Sequence, residues 1–299
     1  MEDSGPNPNR PLDNVLTADQ EAGRRLFTSV NCGIPTPDGT PNVLTCISCH
    51  VIDPNGNQGT AAPGFFGTAG FSSFAFQTQL FKIPHLRNVY QKVGMFGNTI
   101  VPGNLSTDDA FTGDQVRGFG FNHDGAIDTL FRFHHGISFS DQATGVGNGG
   151  IPAGSEGEVQ RRQLESFLLA SPTNLAPIVG QQITLTKSSS AAVVARVELL
   201  RQRADAGECE LVAKAESGDV EAGYLYVGSG LFKSDRRALP PITDAALQLL
   251  ATHSDRPVTY TCVPLGSGER IGVDRDGDGF WDGDERDAHS DPADPTSTP

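Results

Sequence analysis

The chain has 299 residues and a formal net charge of −14 at pH 7. This length suits two domains better than one, and acidity without any basic run makes nucleic acid and anionic membrane surfaces poor partners. No stretch reaches the roughly 18 apolar residues that a bilayer-spanning helix needs. Glycine (35) and proline (20) are frequent, which predicts long ordered loops rather than a helical bundle.

The N-terminal residues 1–16 are polar and proline-rich, and we interpret them as a linker. A helix is predicted to begin at Thr17, because Thr17 and Gln20 have the spacing of a capping box. We expect this helix to end near Cys32.

Residues 46–50 read Cys-Ile-Ser-Cys-His, the C-x-x-C-H sequence that attaches c-type haem. One helical turn sets two thiols against the two vinyl groups on a haem edge and aims the next side chain at the iron. A zinc half-site or a redox C-x-x-C is the alternative, but zinc needs about two further close ligands. We therefore predict one haem c bound covalently by Cys46 and Cys49, with His50 as the proximal iron ligand.

The sixth iron ligand decides between electron transfer and catalysis, because a closed methionine or histidine position favours electron transfer. Met95 is the single methionine beyond Met1, and its neighbouring glycines let backbone pack near a ring. We predict that Met95 is this ligand. The rival candidates are His85, His123, His134 and His135. Of these, His123 is expected to make structural hydrogen bonds in a turn.

Two long segments after the motif have different patterns. Residues 53–80 are rich in glycine, phenylalanine and serine, and we interpret them as a loop over one haem face. Residues 161–169 have the spacing of an amphipathic helix, and Ser171 to Pro177 indicate a boundary. A helix before the haem packed on one after it is the general plan of a small cytochrome c, so we assign residues 17–178 to a cytochrome c domain.

Further motifs carry a resemblance to a known family. They are Phe81-Lys-Ile-Pro-His-Leu-Arg-Asn-Val89, Gly94-Met-Phe96, His123-Asp-Gly125 and Thr129-Leu130. Over about residues 17–170 this pattern resembles the haem domains of the dihaem cytochrome c peroxidase family and related monohaem cytochromes. The resemblance implies a mainly α cytochrome c fold with long loops. It also implies that Arg87 pairs with a haem propionate, with the capping of a loop as an equal alternative.

Two departures from the family affect the expected function. The family's peroxidases use two haems, whereas this chain has one C-x-x-C-H sequence, and its segment from Met95 to His123 is longer. The single haem argues against peroxidase activity. We expect a non-catalytic protein that transfers single electrons through a His/Met haem to or from a redox partner protein. The alternative is a peroxidase-like or oxygen-activating enzyme with an open or labile distal position.

Residues 179–270 are predicted to form a small mixed α/β domain. Helices are expected over 191–206 and 243–252, and strands over 209–214, 224–227 and 258–263. Cys209 and Cys262 lie in this region and are expected to form a disulfide. Cys32 is then left over, either as a buried thiol or without an explanation.

The last segment, residues 271–299, is predicted to bind calcium. It contains the loop sequence D-x-D-x-D-G-x5-E. The predicted ligands are Asp274, Asp276, Asp278, Asp282, Glu285 and the carbonyl of Phe280. The loop and the following Ser290-Asp-Pro-Ala-Asp-Pro resemble a thrombospondin type 3 or dockerin-like repeat, which implies a structural Ca²⁺ rather than a sensor. A solvated acidic tail is the alternative.

Both predicted cofactors indicate export. Haem is attached by thioether bonds on the exporting side of a membrane, and extracellular calcium fills even a weak site. We therefore expect a periplasmic or extracellular protein. Residues 1–14 do not have the pattern of a secretory leader, so we expect that a leader, and in one interpretation a larger exported polypeptide, precedes this sequence.

Overall fold

The computed structural model describes residues 5–32, 44–50, 72–73, 81–86, 88–94, 118–121, 125, 127–141, 149–217, 220–253 and 256–299. The chain divides into two compact units, Met1–Asn174 and Leu175–Pro299. The fold as a whole is mixed α/β, because a six-stranded antiparallel sheet accompanies the helices. No helix within these described ranges has the length and apolar character that crossing a membrane requires.

The described part of the first unit is mainly helical. Its α-helices are α1 (Ala18–Ser29), α2 (Cys46–Cys49), α3 (Leu130–Phe133) and α4 (Ser155–Leu169). Two short strands, β1 (Ser72–Ser73) and β2 (Phe81–Lys82), pair antiparallel. The segments Val89–Lys92 and Ile137–Phe139 form single 3₁₀ turns.

Helix α1 begins where the capping box predicts. The Thr17 side chain accepts a hydrogen bond from the Gln20 backbone N–H at 3.3 Å, and the Gln20 side chain accepts one from the Thr17 N–H at 3.0 Å. Two backbone donors that the first turn of a helix leaves without partners are thus satisfied. The predicted start of α1 is confirmed.

Helices α1 and α4 pack closely, as the sequence predicts. Phe27 of α1 and Phe167 of α4 have ring centroids 5.5 Å apart, and both belong to a cluster of buried apolar side chains. The approach depends on Gly23, because a Cβ at this position would lie 2.0 Å from the Gln163 carbonyl oxygen. The same cluster contains Cys46, so the helix pair supports α2.

The segment before α1, assigned to a linker from its composition, makes specific hydrogen bonds to the end of α4. The Asn7 side chain donates to the carbonyls of Leu169 and Ser171 at 2.8 and 2.7 Å. The Arg10 guanidinium donates to the Ala170 carbonyl at 3.2 Å. These donors satisfy carbonyls that the last turn of a helix cannot pair internally.

The second unit is built on a single sheet. Its strands are β3 (Gln182–Leu185), β4 (Glu210–Ser217), β5 (Val220–Gly228), β6 (Leu231–Ser234), β7 (Ile242–Thr243) and β8 (Val258–Val263). Their spatial order is β3-β8-β4-β5-β6-β7, and every neighbouring pair is antiparallel. Its helices are α5 (Ala191–Asp205), α6 (Asp244–His253), α7 (Gly268–Gly272) and α8 (Asp282–Asp287).

One face of this sheet packs against α5 and α6. Tyr260 and Cys262 of β8 point to this face: the Tyr260 hydroxyl donates to Asp244 of α6 at 3.2 Å, and the Cys262 sulfur lies 3.7 Å from the Leu200 carbonyl of α5. Cys262 is bonded to Cys209, so the predicted disulfide is confirmed. Beyond the predicted strands, β3, β6 and β7 complete the sheet.

The opposite face packs against α7 and the segment that follows it. Val212, Leu225 and Val263 are buried there with Val273. Gly223 of β5 permits this close contact, because a Cβ at that position would lie 2.0 Å from the Gly272 carbonyl oxygen. The acidic C-terminal segment therefore starts from a fixed position on the sheet.

We predict that Gly23→Ala destabilises the protein. The new methyl group would collide with the backbone of α4, and overpacking of this kind costs about 1–3 kcal/mol, which exceeds the helix propensity that alanine adds. Urea unfolding of the full chain measures the change. Gly5→Ala is the matched control, because nothing lies within 4 Å of the position that its added methyl group would take. Equal stability of the two variants would contradict the close packing of α1 on α4.

Candidate functional site

The Cys46–His50 motif forms one turn of helix, as its spacing predicts. Helix α2 covers both cysteines, and the His50 backbone N–H donates to the Cys46 carbonyl at 2.9 Å. Before the turn, the Thr45 N–H donates to the Ser48 hydroxyl at 3.2 Å. Cys46 is buried and Cys49 is partly exposed. The two thiols and the imidazole are therefore held on one short, capped element.

The His50 imidazole lies in apolar surroundings. Its ring is 6.4 Å from the Phe27 ring, centroid to centroid, and its Nδ1 is buried without a hydrogen bond of standard geometry. Burial lowers the pKa of His50 to about 4, against the opposing effect of the nearby Pro84 carbonyl. A neutral imidazole is the form that binds a metal, so the donor set Cys46, Cys49 and His50 suits a covalently bound haem.

The rival histidines differ in what their rings contact. Both ring nitrogens of His135 have partners, the Phe131 carbonyl at 2.9 Å and the Glu158 carboxylate at 3.0 Å. The neighbouring His134 is buried, and its Nδ1 has no hydrogen-bond partner. Burial lowers the pKa of His134 to about 3. Its ring is edge-on to Phe133 and Phe139. Because the imidazole is neutral and its Nδ1 has no partner, His134 remains able to bind a metal.

The other sequence-predicted haem contacts fall on residues that the structure does not describe. Met95, Arg87 and His123 lie outside the described ranges. His85 is described and exposed. The predictions for Met95 as sixth ligand and for Arg87 as propionate partner therefore remain predictions.

The predicted calcium loop folds around its own aspartates. Asp274 accepts hydrogen bonds from the backbone N–H groups of Gly277 and Gly279, at 2.8 and 3.0 Å. Both glycines have positive φ, 78° and 95°, a region where a side chain would be strained. Asp278 accepts from the Phe280 N–H at 2.8 Å. The chain thus turns sharply enough to bring successive carboxylates together.

Carboxylate oxygens without partners face the inside of this loop. One oxygen each of Asp276 and Asp278 and both oxygens of Glu285 are buried and accept no hydrogen bond. Potential ligand atoms of Asp274, Asp276 and Asp278 all lie within 4.8 Å of one another. Burial, together with the aspartate charges, raises the pKa of Glu285 to about 7. Oxygen ligands at this density suit a hard divalent cation such as Ca²⁺.

Side chains outside the motif hold the loop on the sheet, and the loop sequence itself does not reveal them. Asp235, fully buried after β6, accepts from the Gly223 N–H at 2.9 Å and pairs with Arg286 of α8. Arg236 binds both oxygens of Asp287, at 2.8 and 3.1 Å. These partners are about 50 residues apart in the sequence, so no local pattern marks them.

The comparisons with known proteins agree with the loop geometry. Residues 274–295 match the family model described as bacterial TSP3 repeat, a calcium-binding repeat. The search of curated proteins returned no match, and neither did the search of solved structures. The repeat and the disulfide are both consistent with export.

We predict that Glu285→Gln weakens calcium binding on the order of tenfold or more, because it removes a buried ligand charge from the loop. Calorimetric titration of the full chain with Ca²⁺ measures the change. Wild-type protein at about 100 times its Kd should gain about 2.7 kcal/mol of unfolding free energy, and a chelator should remove that gain.

The matched control is Asp284→Asn, which removes a charge from the same helix. The Asp284 side chain accepts instead from the Arg237 backbone N–H at 3.1 Å, an interaction that asparagine can retain. This variant should bind Ca²⁺ nearly as wild type does. Equal weakening by both substitutions would mean that only the net charge of the tail matters.

Proposed function

We propose that this chain is an exported monohaem c-type cytochrome that transfers single electrons between redox partner proteins. The observation that carries the proposal is the capped turn Cys46–Cys49, followed by His50, whose buried Nδ1 makes no hydrogen bond of standard geometry. A buried polar atom without a hydrogen bond costs free energy unless another group satisfies it. Haem attachment by this motif supplies such a group.

The chain's own residues would hold the haem in three ways. Cys46 and Cys49 provide the thioether sulfurs from one helical turn, and His50 provides the proximal nitrogen. The Pro84 carbonyl is near the imidazole and is suited to accept the proton of the ring nitrogen that does not bind iron, which orients such rings in metal sites. When bound, the haem supplies a reversible one-electron iron couple.

Apolar packing around the motif supports electron transfer over catalysis. Phe27, Leu164 and Phe167 belong to the buried cluster that also contains Cys46. Exclusion of water around a haem edge and a methionine axial ligand both raise the reduction potential. We propose that Met95 closes the sixth position. His134, with its unpartnered Nδ1, is the alternative ligand among the described residues.

The calcium repeat belongs to the same proposal. We propose that Asp274, Asp276, Asp278, Asp282 and Glu285, with the Phe280 carbonyl, bind one structural Ca²⁺. Asp282 is buried and also accepts from the Arg275 N–H at 2.7 Å. The ion would compensate buried negative charge at the sheet and so stabilise the second unit, in a compartment where calcium is plentiful.

The test of haem binding is the full chain expressed with a c-type haem attachment system. Its mass should increase by one haem that resists acid extraction, and its ferrous spectrum should be that of a c-type haem. Cys46→Ser and Cys49→Ser should each lose one thioether bond, whereas Cys209→Ser, outside the motif, should keep both. A chain that carries no haem under these conditions would refute the proposed function.

We predict that the ferric protein shows the weak long-wavelength band of a methionine–iron bond and that the ferrous protein resists carbon monoxide, because no coordination position is open. Met95→Ala should abolish the band and admit carbon monoxide. His134→Ala is the comparison variant. If His134→Ala opens the haem and Met95→Ala does not, histidine is the sixth ligand. A wild-type protein that binds carbon monoxide readily would instead favour a haem enzyme.

A further inference from the structure

Cys32 occupies a fixed position next to the haem motif. It follows α1, and its backbone N–H donates to the Leu44 carbonyl at 2.6 Å. Its sulfur also lies 3.1 Å from the same oxygen. The side chain is partly exposed. Cys32, which the sequence analysis left without a role, is therefore held by the segment that leads directly into α2.

A short antiparallel contact sets the register of this position. Asn31 pairs with Thr45 in a β-bridge, and the Asn31 side chain accepts from the Leu44 N–H at 3.0 Å. In this antiparallel pairing Cys32 lies opposite Leu44, while Cys46 follows Thr45 into α2. Cys32 also packs against the buried cluster that contains Cys46. The two thiols lie close enough that each shifts the pKa of the other. Proximity of the two sulfurs is the first requirement for a disulfide between them.

We propose that Cys32 and Cys46 form a redox-modification site, a reversible disulfide that occupies the Cys46 sulfur and so blocks haem attachment there. The consequence for haem rests on the proposed function, whereas the disulfide itself does not. Haem attachment requires Cys46 as a free thiol, and a sulfur bonded to Cys32 cannot form a thioether. The haem-free chain would thus be held in a protected form until it is reduced.

The oxidant is a disulfide compound, such as oxidised glutathione or the active-site disulfide of an oxidoreductase. The Cys32 thiolate attacks one sulfur of that compound, which forms a mixed disulfide and releases one thiol. The Cys46 thiolate then attacks the Cys32 sulfur and releases the second thiol. Two protein thiols lose two electrons and two protons, and the oxidant's disulfide becomes two thiols.

Exposure and charge favour this order of attack. The partly exposed Cys32 is accessible to a small disulfide, whereas Cys46 is 8% exposed. The neighbouring Cys46 thiol lowers the pKa of Cys32, while the Cys32 thiol and burial raise the pKa of Cys46. Because the thiolate is the nucleophile, Cys32 reacts first and Cys46 resolves the mixed disulfide.

Disulfide mapping tests the pair directly. The full-length, haem-free chain is oxidised with glutathione disulfide, alkylated, denatured and cleaved before aspartate without reduction. Cleavage at Asp38 separates Cys32 from Cys46 and Cys49, so the proposed bond links two peptides. We expect this linked pair in wild type and in Cys49→Ser, and its loss in Cys46→Ser. A bond confined to the peptide with Cys46 and Cys49 would overturn the proposal.

Haem loading tests the consequence. The chain is expressed with a haem attachment system, with and without an added thiol reductant, and the haem-loaded fraction is measured by mass. Reductant should raise loading of wild type severalfold, whereas Cys32→Ser and Cys32→Ala should load well without it. If all three chains required reductant equally, the proposed block of haem attachment by the Cys32–Cys46 disulfide would be overturned. If no chain bound haem, with or without reductant, the proposed function would be refuted, whereas the mapped disulfide would remain supported.

Discussion

The second unit depends on how it compensates buried negative charge. Asp235 is fully buried between the sheet and α8, and an isolated carboxylate in such a place costs several kcal/mol. It is compensated by the Gly223 N–H from β5 and by the Arg286 guanidinium from α8. Because one partner belongs to the sheet and the other to the C-terminal helix, neither element can move without leaving a buried charge unpaired.

Glu285, which precedes Arg286 on α8, is a second buried carboxylate whose charge must be compensated, but by a different partner. It is as buried as Asp235, but both of its oxygens lack a partner within the described protein. Adjacent positions on α8 thus serve opposite purposes: Arg286 anchors the helix to the sheet, and Glu285 faces the other loop carboxylates. The proposed Ca²⁺ would compensate the charge that the side chains leave uncompensated.

Local patterns in the sequence predicted much of this arrangement, and long-range pairing could not be predicted. The capping box at Thr17, the bounds of β8 and the spacing of the calcium loop depend on neighbouring residues. In contrast, β6 has four residues and β7 has two, too few for a periodic signal. Asp235 looks like a surface acid in sequence because its partner is 51 residues away. Likewise, the spacing of Cys46 and His50 predicts a haem motif, but the proximity of Cys32 to Cys46 could be found only from the fold.

The order of strands in the sheet also has a consequence for folding kinetics. Strand β8 is the last of the six in the sequence, yet it lies between β3 and β4. Gln182 at the start of β3 pairs with Thr261, so β3 has no neighbour until the chain is synthesised through β8. Pairing across such sequence separations slows folding, because the entropy of closing the intervening loop is lost before the strand contacts form. Helices α1 and α4 lie wholly earlier in the chain, so the first unit can pack before β8, the strand between β3 and β4, is available to the second unit.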